Sequence, residues 1–185
     1  QKASASFDEG VLAPSVVETV KGYLLDRLPA HYDEQGVSVD ILRSVTTVGT
    51  ASFGDIDSRS LAVTAFAGTD AAEALAAANK RVANILAKVS EPIGEVNAEL
   101  LREPAEIALS GALDRSRECL AAAVADNDFP EALNQLALLR RDVDSFFDTV
   151  LVNAEDKALR LNRLALLHEL RAQFLKVADL AVLAR

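Results

Sequence analysis

Methionine and tryptophan are absent from this chain of 185 residues, and only one cysteine, two histidines and two tyrosines are present. Each scarcity excludes something. A lone Cys119 closes no internal disulfide, and any metal site would need its ligands from other residue types. Two histidines and 5% aromatics leave little material for acid–base catalysis or for stacking on bases. The apolar runs fall far short of the roughly 20 residues a membrane span needs. Gln1–Gly10 is polar and lacks the apolar core of a signal peptide. With no Met at position 1, Gln1 reads as a cut or processed end, so a domain excised from a longer protein is the expectation. There is no glycine-rich phosphate loop, no HExxH and no paired-cysteine zinc spacing. Cys119 with His168 is the nearest approach to a nucleophile and base, and a small buried residue in an alanine-rich helix is the simpler reading of Cys119. Asp55 and Asp57 suit a helix N-terminus, and His31 the C-terminal end of a helix dipole.

Half of the residues are hydrophobic, enough to build a core. Apolar residues recur at spacings of three and four from Val16 onward, with no sustained alternation of period two, so the expected fold is all-α: a bundle of about seven helices. Ser15 with Glu18 reads as a capping box opening a helix that buries Val16, Val20, Tyr23, Leu24 and Leu28 and stops near Gly36. A short helix over Val39–Thr47 and a loop over 47–54 follow, and Asp55 or Asp57 opens the third helix. Asp70 with Glu73 opens the fourth, whose stripe is Leu75, Ala78, Val82, Ile85 and Val89. Residues 91–103 form a connection with one turn near 98–101. Pro104 starts a fifth helix ending near Asp126, and Asp128 with Glu131 a sixth that runs to Phe147. Asp156 opens a seventh, apolar around much of its circumference and therefore buried. Residues 1–10 are expected to be a disordered or expression-derived segment, and 11–185 a single domain.

The net charge of −9 argues against a protein that coats nucleic acid indiscriminately or lies on an anionic membrane. That charge is unevenly spread. Ala74–Ser90 holds Lys80, Arg81 and Lys88 without an acid, and Lys157–His168 holds Lys157, Arg160 and Arg163, again without one. Lys80, Asn84 and Lys88 are spaced by four and share a helix face, with Arg81 beside it. Asparagine and basic side chains together hold phosphates and donate to base edges. A solvated polar face opposite the apolar stripe is the alternative. Phe146 or Phe147 could stack on a base, although their spacing from Val143 and Val150 assigns at least one to the core.

The stretches Glu73–Lys88 (EALAAANKRVANILAK) and Val143–Leu180 resemble the C-terminal part of the β subunit of bacterial two-subunit glycyl-tRNA synthetases. That region is similar to the helical anticodon-binding domains named for a DALR motif. Here the motif reads Asp156-Lys157-Ala158-Leu159-Arg160, with one residue inserted after the aspartate. Weaker likenesses lie at Glu103-Pro104-Ala105-Glu106 and Phe129–Leu139, and the resemblance covers roughly Val11–Leu183. It implies a cytoplasmic tRNA-binding appendage without a catalytic centre, within a ligase that attaches glycine to its tRNA. The implied partners are tRNA(Gly), the remainder of the β subunit and the α subunit, with no membrane and no DNA. No cofactor is expected in this chain; ATP and Mg belong to the α subunit. Carried over by motif, Asn79, Lys80, Arg81 and Asn84, with Lys88, and Lys157, Arg160, Asn162 and Arg163 are the implied tRNA-binding residues, and Asp156 is expected to be a helix cap. The competing expectation is a docking module that holds synthetase domains or subunits together without reading an anticodon, using the alanine-rich, acidic surface of Leu113–Asp126.

Overall fold

A computed structural model describes residues 16–49 and 52–184. These residues form eight α-helices and no strand: α1 (Val16–Glu34), α2 (Val39–Thr46), α3 (Phe53–Ala67), α4 (Asp70–Leu86), α5 (Pro104–Ala125), α6 (Phe129–Ala137), α7 (Arg140–Thr149) and α8 (Lys157–Phe174). Short 3-10 turns lie at Ala98–Leu100 and Leu180–Leu183. The chain divides into two compact units, Gln1–Val39 and Asp40–Arg185.

The first unit contributes α1. It is closed by Gly36, whose φ of 77° is the left-handed conformation that ends helices without steric cost. Val20 and Tyr23, expected in its buried stripe, are exposed, and the Arg27 guanidinium lies 5.4 Å above the Tyr23 ring. The Ser15–Glu18 box and the Leu24 side chain lie outside the described residues.

In the second unit, local chemistry accounts for most helix boundaries. Ser52, not Asp55 or Asp57, caps α3 by accepting from the Asp55 amide at 3.2 Å, and Asp55 instead pairs with Arg59 at 2.8 Å. Thr69 caps α4 one residue before the expected Asp70, leaving Asp70 and Glu73 in the first turn, where the helix dipole favours carboxylates. Pro104 is the first residue of α5, and Asp128 caps α6 through the Glu131 amide at 3.1 Å. Asp156 caps α8, its Oδ1 accepting from the amides of Ala158 and Leu159 at 2.7 and 3.1 Å. The single helix expected over 128–147 is two, α6 and α7, broken at Leu138–Leu139.

Buried leucines and Phe174 make α8 the central element: Leu166, Leu167, Leu170 and Phe174 are fully enclosed, each contributing about 1.5–3 kcal/mol by leaving water. Helix α5 packs on α6, α7 and α8. Helix α4 packs on α7, α8 and the final 3-10 turn. α3 and α4 meet at 107°. No single described helix is long and apolar enough to cross a membrane.

Candidate nucleic-acid interface

Because α4 packs against α8, the two acid-free stretches of the sequence meet in space. Between them runs an open groove of about 820 Å³. Lys80, Arg81, Asn84 and Lys88 line it from α4 and the turn that follows, Arg160 from α8, and Asn153 from the loop before α8. Ile85, Val89, Leu161 and Leu164 supply apolar lining. Among the described residues, four cations thus share a space with one carboxylate, that of Glu91.

Several of these side chains are already oriented. The Arg81 guanidinium sits 4.2 Å above the Phe147 ring, a cation–π contact that restrains a long side chain at the groove. Phe147 is half-buried and does not itself line the groove, while its neighbour Phe146 is the core residue of the pair. Lys80 donates to the Ala184 carbonyl at 2.9 Å, and Arg160 to the Ala154 carbonyl at 3.3 Å. Lys157 is exposed and lies 3.2 Å from the Glu91 carboxylate.

Three residues implied by the resemblance are not at this surface. Asn79 is fully buried and accepts from Arg171 at 3.0 Å; Arg171 in turn pairs with Asp179 at 2.9 Å. Asn162 is buried and grips the backbone of Asn97 twice, accepting from its amide at 2.7 Å and donating to its carbonyl at 3.0 Å. Arg163 is buried against Glu106 and donates to the Leu151 carbonyl at 2.8 Å. All three belong to the architecture, because helical geometry turns them inward. Asn79 lies four residues after Leu75 and three before Val82, both fully buried. Asn162 and Arg163 share the face of Leu166, Leu167 and Leu170 in the same way. That spacing was the signal available in the sequence.

Glu106 is the buried partner of Arg163. Burial opposes its ionisation, but the Arg163 guanidinium and the amides of Glu103 and Arg102, at 2.8 and 2.7 Å, outweigh it and hold the carboxyl below its ordinary 4.5. Arg59, unremarked in the sequence, does similar work at the other end of α8. It donates to the carbonyls of Lys176 and Val177 at 2.7 and 2.6 Å and lies 4.3 Å over the Phe129 ring. Cys119, expected to be buried, is exposed. No group of three or more candidate metal ligands occurs among the described residues.

Residues 75–180, which hold most of the groove and all of α5–α8, match the family described as the DALR anticodon binding domain. The chain belongs to that family. Within this DALR domain the motif aspartate, Asp156, caps α8, and the motif arginine, Arg160, lies four residues on, in the groove. Similar proteins include the glycine–tRNA ligase beta subunits of Haemophilus influenzae (46% identical over 183 residues, 99% of this chain and 27% of that protein) and of Vibrio cholerae (43% over 185 residues, 100% and 27%). A third, from Actinobacillus pleuropneumoniae, is 45% identical over 183 residues. The DALR chain therefore spans 27% of the length of these curated relatives.

Proposed function

We propose that this domain binds tRNA(Gly) through the α4–α8 groove and reads its anticodon, as part of the β subunit of a cytoplasmic glycine–tRNA ligase. The observation that carries the reading is the convergence of Lys80, Arg81, Lys88 and Arg160 in one groove of an otherwise acidic, DALR-family chain. Glycine codons begin with two guanines, so the anticodon carries cytosines at its second and third positions. Bases in a loop are read splayed from one another, by hydrogen bonds to their edges and by contact with aromatic or guanidinium planes. Arg81 on Phe147 offers such a plane, Asn84, Asn153 and Arg160 offer donors for cytosine O2 and N3, and the lysines neutralise phosphates. Activation of glycine with ATP and Mg falls to the α subunit in this reading. The partners are tRNA, that subunit and the remainder of the β subunit, with no part for DNA or a membrane. The acidic remainder of the surface repels nucleic acid elsewhere and confines contact to the groove.

Charge reversal tests the location. R81E and R160E each weaken tRNA(Gly) binding by about tenfold through loss of a charge-assisted contact. R115E, an equal change of charge at an exposed α5 position outside the groove lining, shifts binding by no more than about twofold because salt screens charges that make no direct contact. Equal effects from all three variants would contradict the groove assignment.

A further inference from the structure

Among the described residues Glu91 is the one acid lining the groove, beside cations, amides, Ser90 and apolar side chains. An anion there lowers the groove's attraction for phosphate, so a purely phosphate-binding surface gains nothing from it. It is also the first acid after the acid-free stretch of α4. Its backbone is restrained on the C-terminal side. Pro92 confines Glu91 to extended conformations, and six residues on, Asn97 is clamped by Asn162. The side chain stays half-exposed at the groove, with Lys157 at 3.2 Å.

We infer that Glu91 is a specificity-determining residue that accepts a hydrogen bond from the exocyclic amine of an anticodon cytosine, a role its carboxylate fills without needing Lys157 to hold it in place. This assignment rests on the anticodon-reading function proposed above. Cytosine presents N4–H2 as a donor beside the N3 and O2 acceptors. A carboxylate is the complement of the amine, and Asn84, Asn153 or Arg160 in the same groove are complements of the acceptors. Uracil places its O4 acceptor where the amine was, so the carboxylate repels it. Adenine also carries an amine beside a ring acceptor, so Glu91 separates cytosine from uracil and leaves exclusion of adenine to size.

The experiment titrates the 185-residue chain with RNA anticodon stem–loops carrying cytosine or uracil at the second or third anticodon position. Wild type, E91Q and K157M are compared. Wild type prefers cytosine at one of these positions by about tenfold or more. In E91Q that preference falls to near unity, chiefly by tighter binding of the uracil loop, because the amide can donate to O4. K157M loses overall affinity and keeps the cytosine preference. An E91Q protein that discriminates like wild type overturns the assignment. So does a K157M protein that loses discrimination to the same degree, since the ion pair alone would then explain both. A wild-type chain with no cytosine preference instead takes down the anticodon reading itself, and this assignment with it.

Discussion

Arg163 and Glu106 face each other between α8 and α5, both almost sealed from water, and their charges compensate one another. Removing one partner strands the other, at a cost of about 3–5 kcal/mol for a buried pair. The sign of the pH dependence follows from the lowered Glu106 pKa. The unfolded chain takes up this proton near 4.5, whereas the folded protein resists until lower pH. The pair's contribution is therefore complete above about pH 4.5 and is lost as pH falls through the lowered folded value. Urea unfolding between pH 3 and 7 should show stability dropping below about pH 4.5, and E106Q should remove that component while lowering stability at neutral pH. A pH profile identical in E106Q and wild type would contradict this account. Arg163 variants should then lose tRNA binding only in so far as they unfold.

At the scale of elements, Asn162 acts as a clip that fastens the connector of residues 91–103 to α8. N162A leaves the Asn97 amide and carbonyl without these partners, at a cost of about 1–3 kcal/mol. Hydrogen exchange at Asn97 should accelerate in N162A while the α5 core remains protected; unchanged exchange would show that the clip does not hold the connector. Helix positions were legible where a side chain caps a backbone end, as at Asp128 and Asp156, and where Pro104 starts α5. The break at Leu138–Leu139 was not, since the buried series Leu133, Leu136, Leu139, Val143, Phe146 keeps helical spacing straight through it. No glycine or proline marks the site, and only a tight turn, with the Leu139 amide donating to the Leu136 carbonyl at 3.1 Å, reveals it. The exposure of Val20 and Tyr23 on α1 is a related miss, because apolar spacing shows which face is apolar and not what covers it.

For the whole molecule, a net charge of −9 coexists with a basic groove because four of the cations line one cleft between α4 and α8. The groove was legible from two acid-free stretches far apart in sequence; that they face each other was not, since charge counts carry no distance. Charge counts also did not separate Lys80, Arg81 and Arg160, which line the groove, from Arg163, which α8 turns into the core. If the four groove cations among the described residues make the phosphate contacts, at a loss of about 0.7 in slope per neutralised phosphate on a single strand, the logarithm of affinity should fall with the logarithm of salt with a slope of about −3. Base reading is less sensitive to salt than phosphate attraction, so preference should outlast affinity. The most direct measurement is a titration of the chain with tRNA(Gly) and with a tRNA differing only at the two anticodon cytosines, at low and at physiological salt. An anticodon reader binds the intact tRNA more tightly at both salts while the overall affinity declines between them. Equal binding of the two tRNAs at both salts would contradict it and reduce the groove to a site of phosphate attraction.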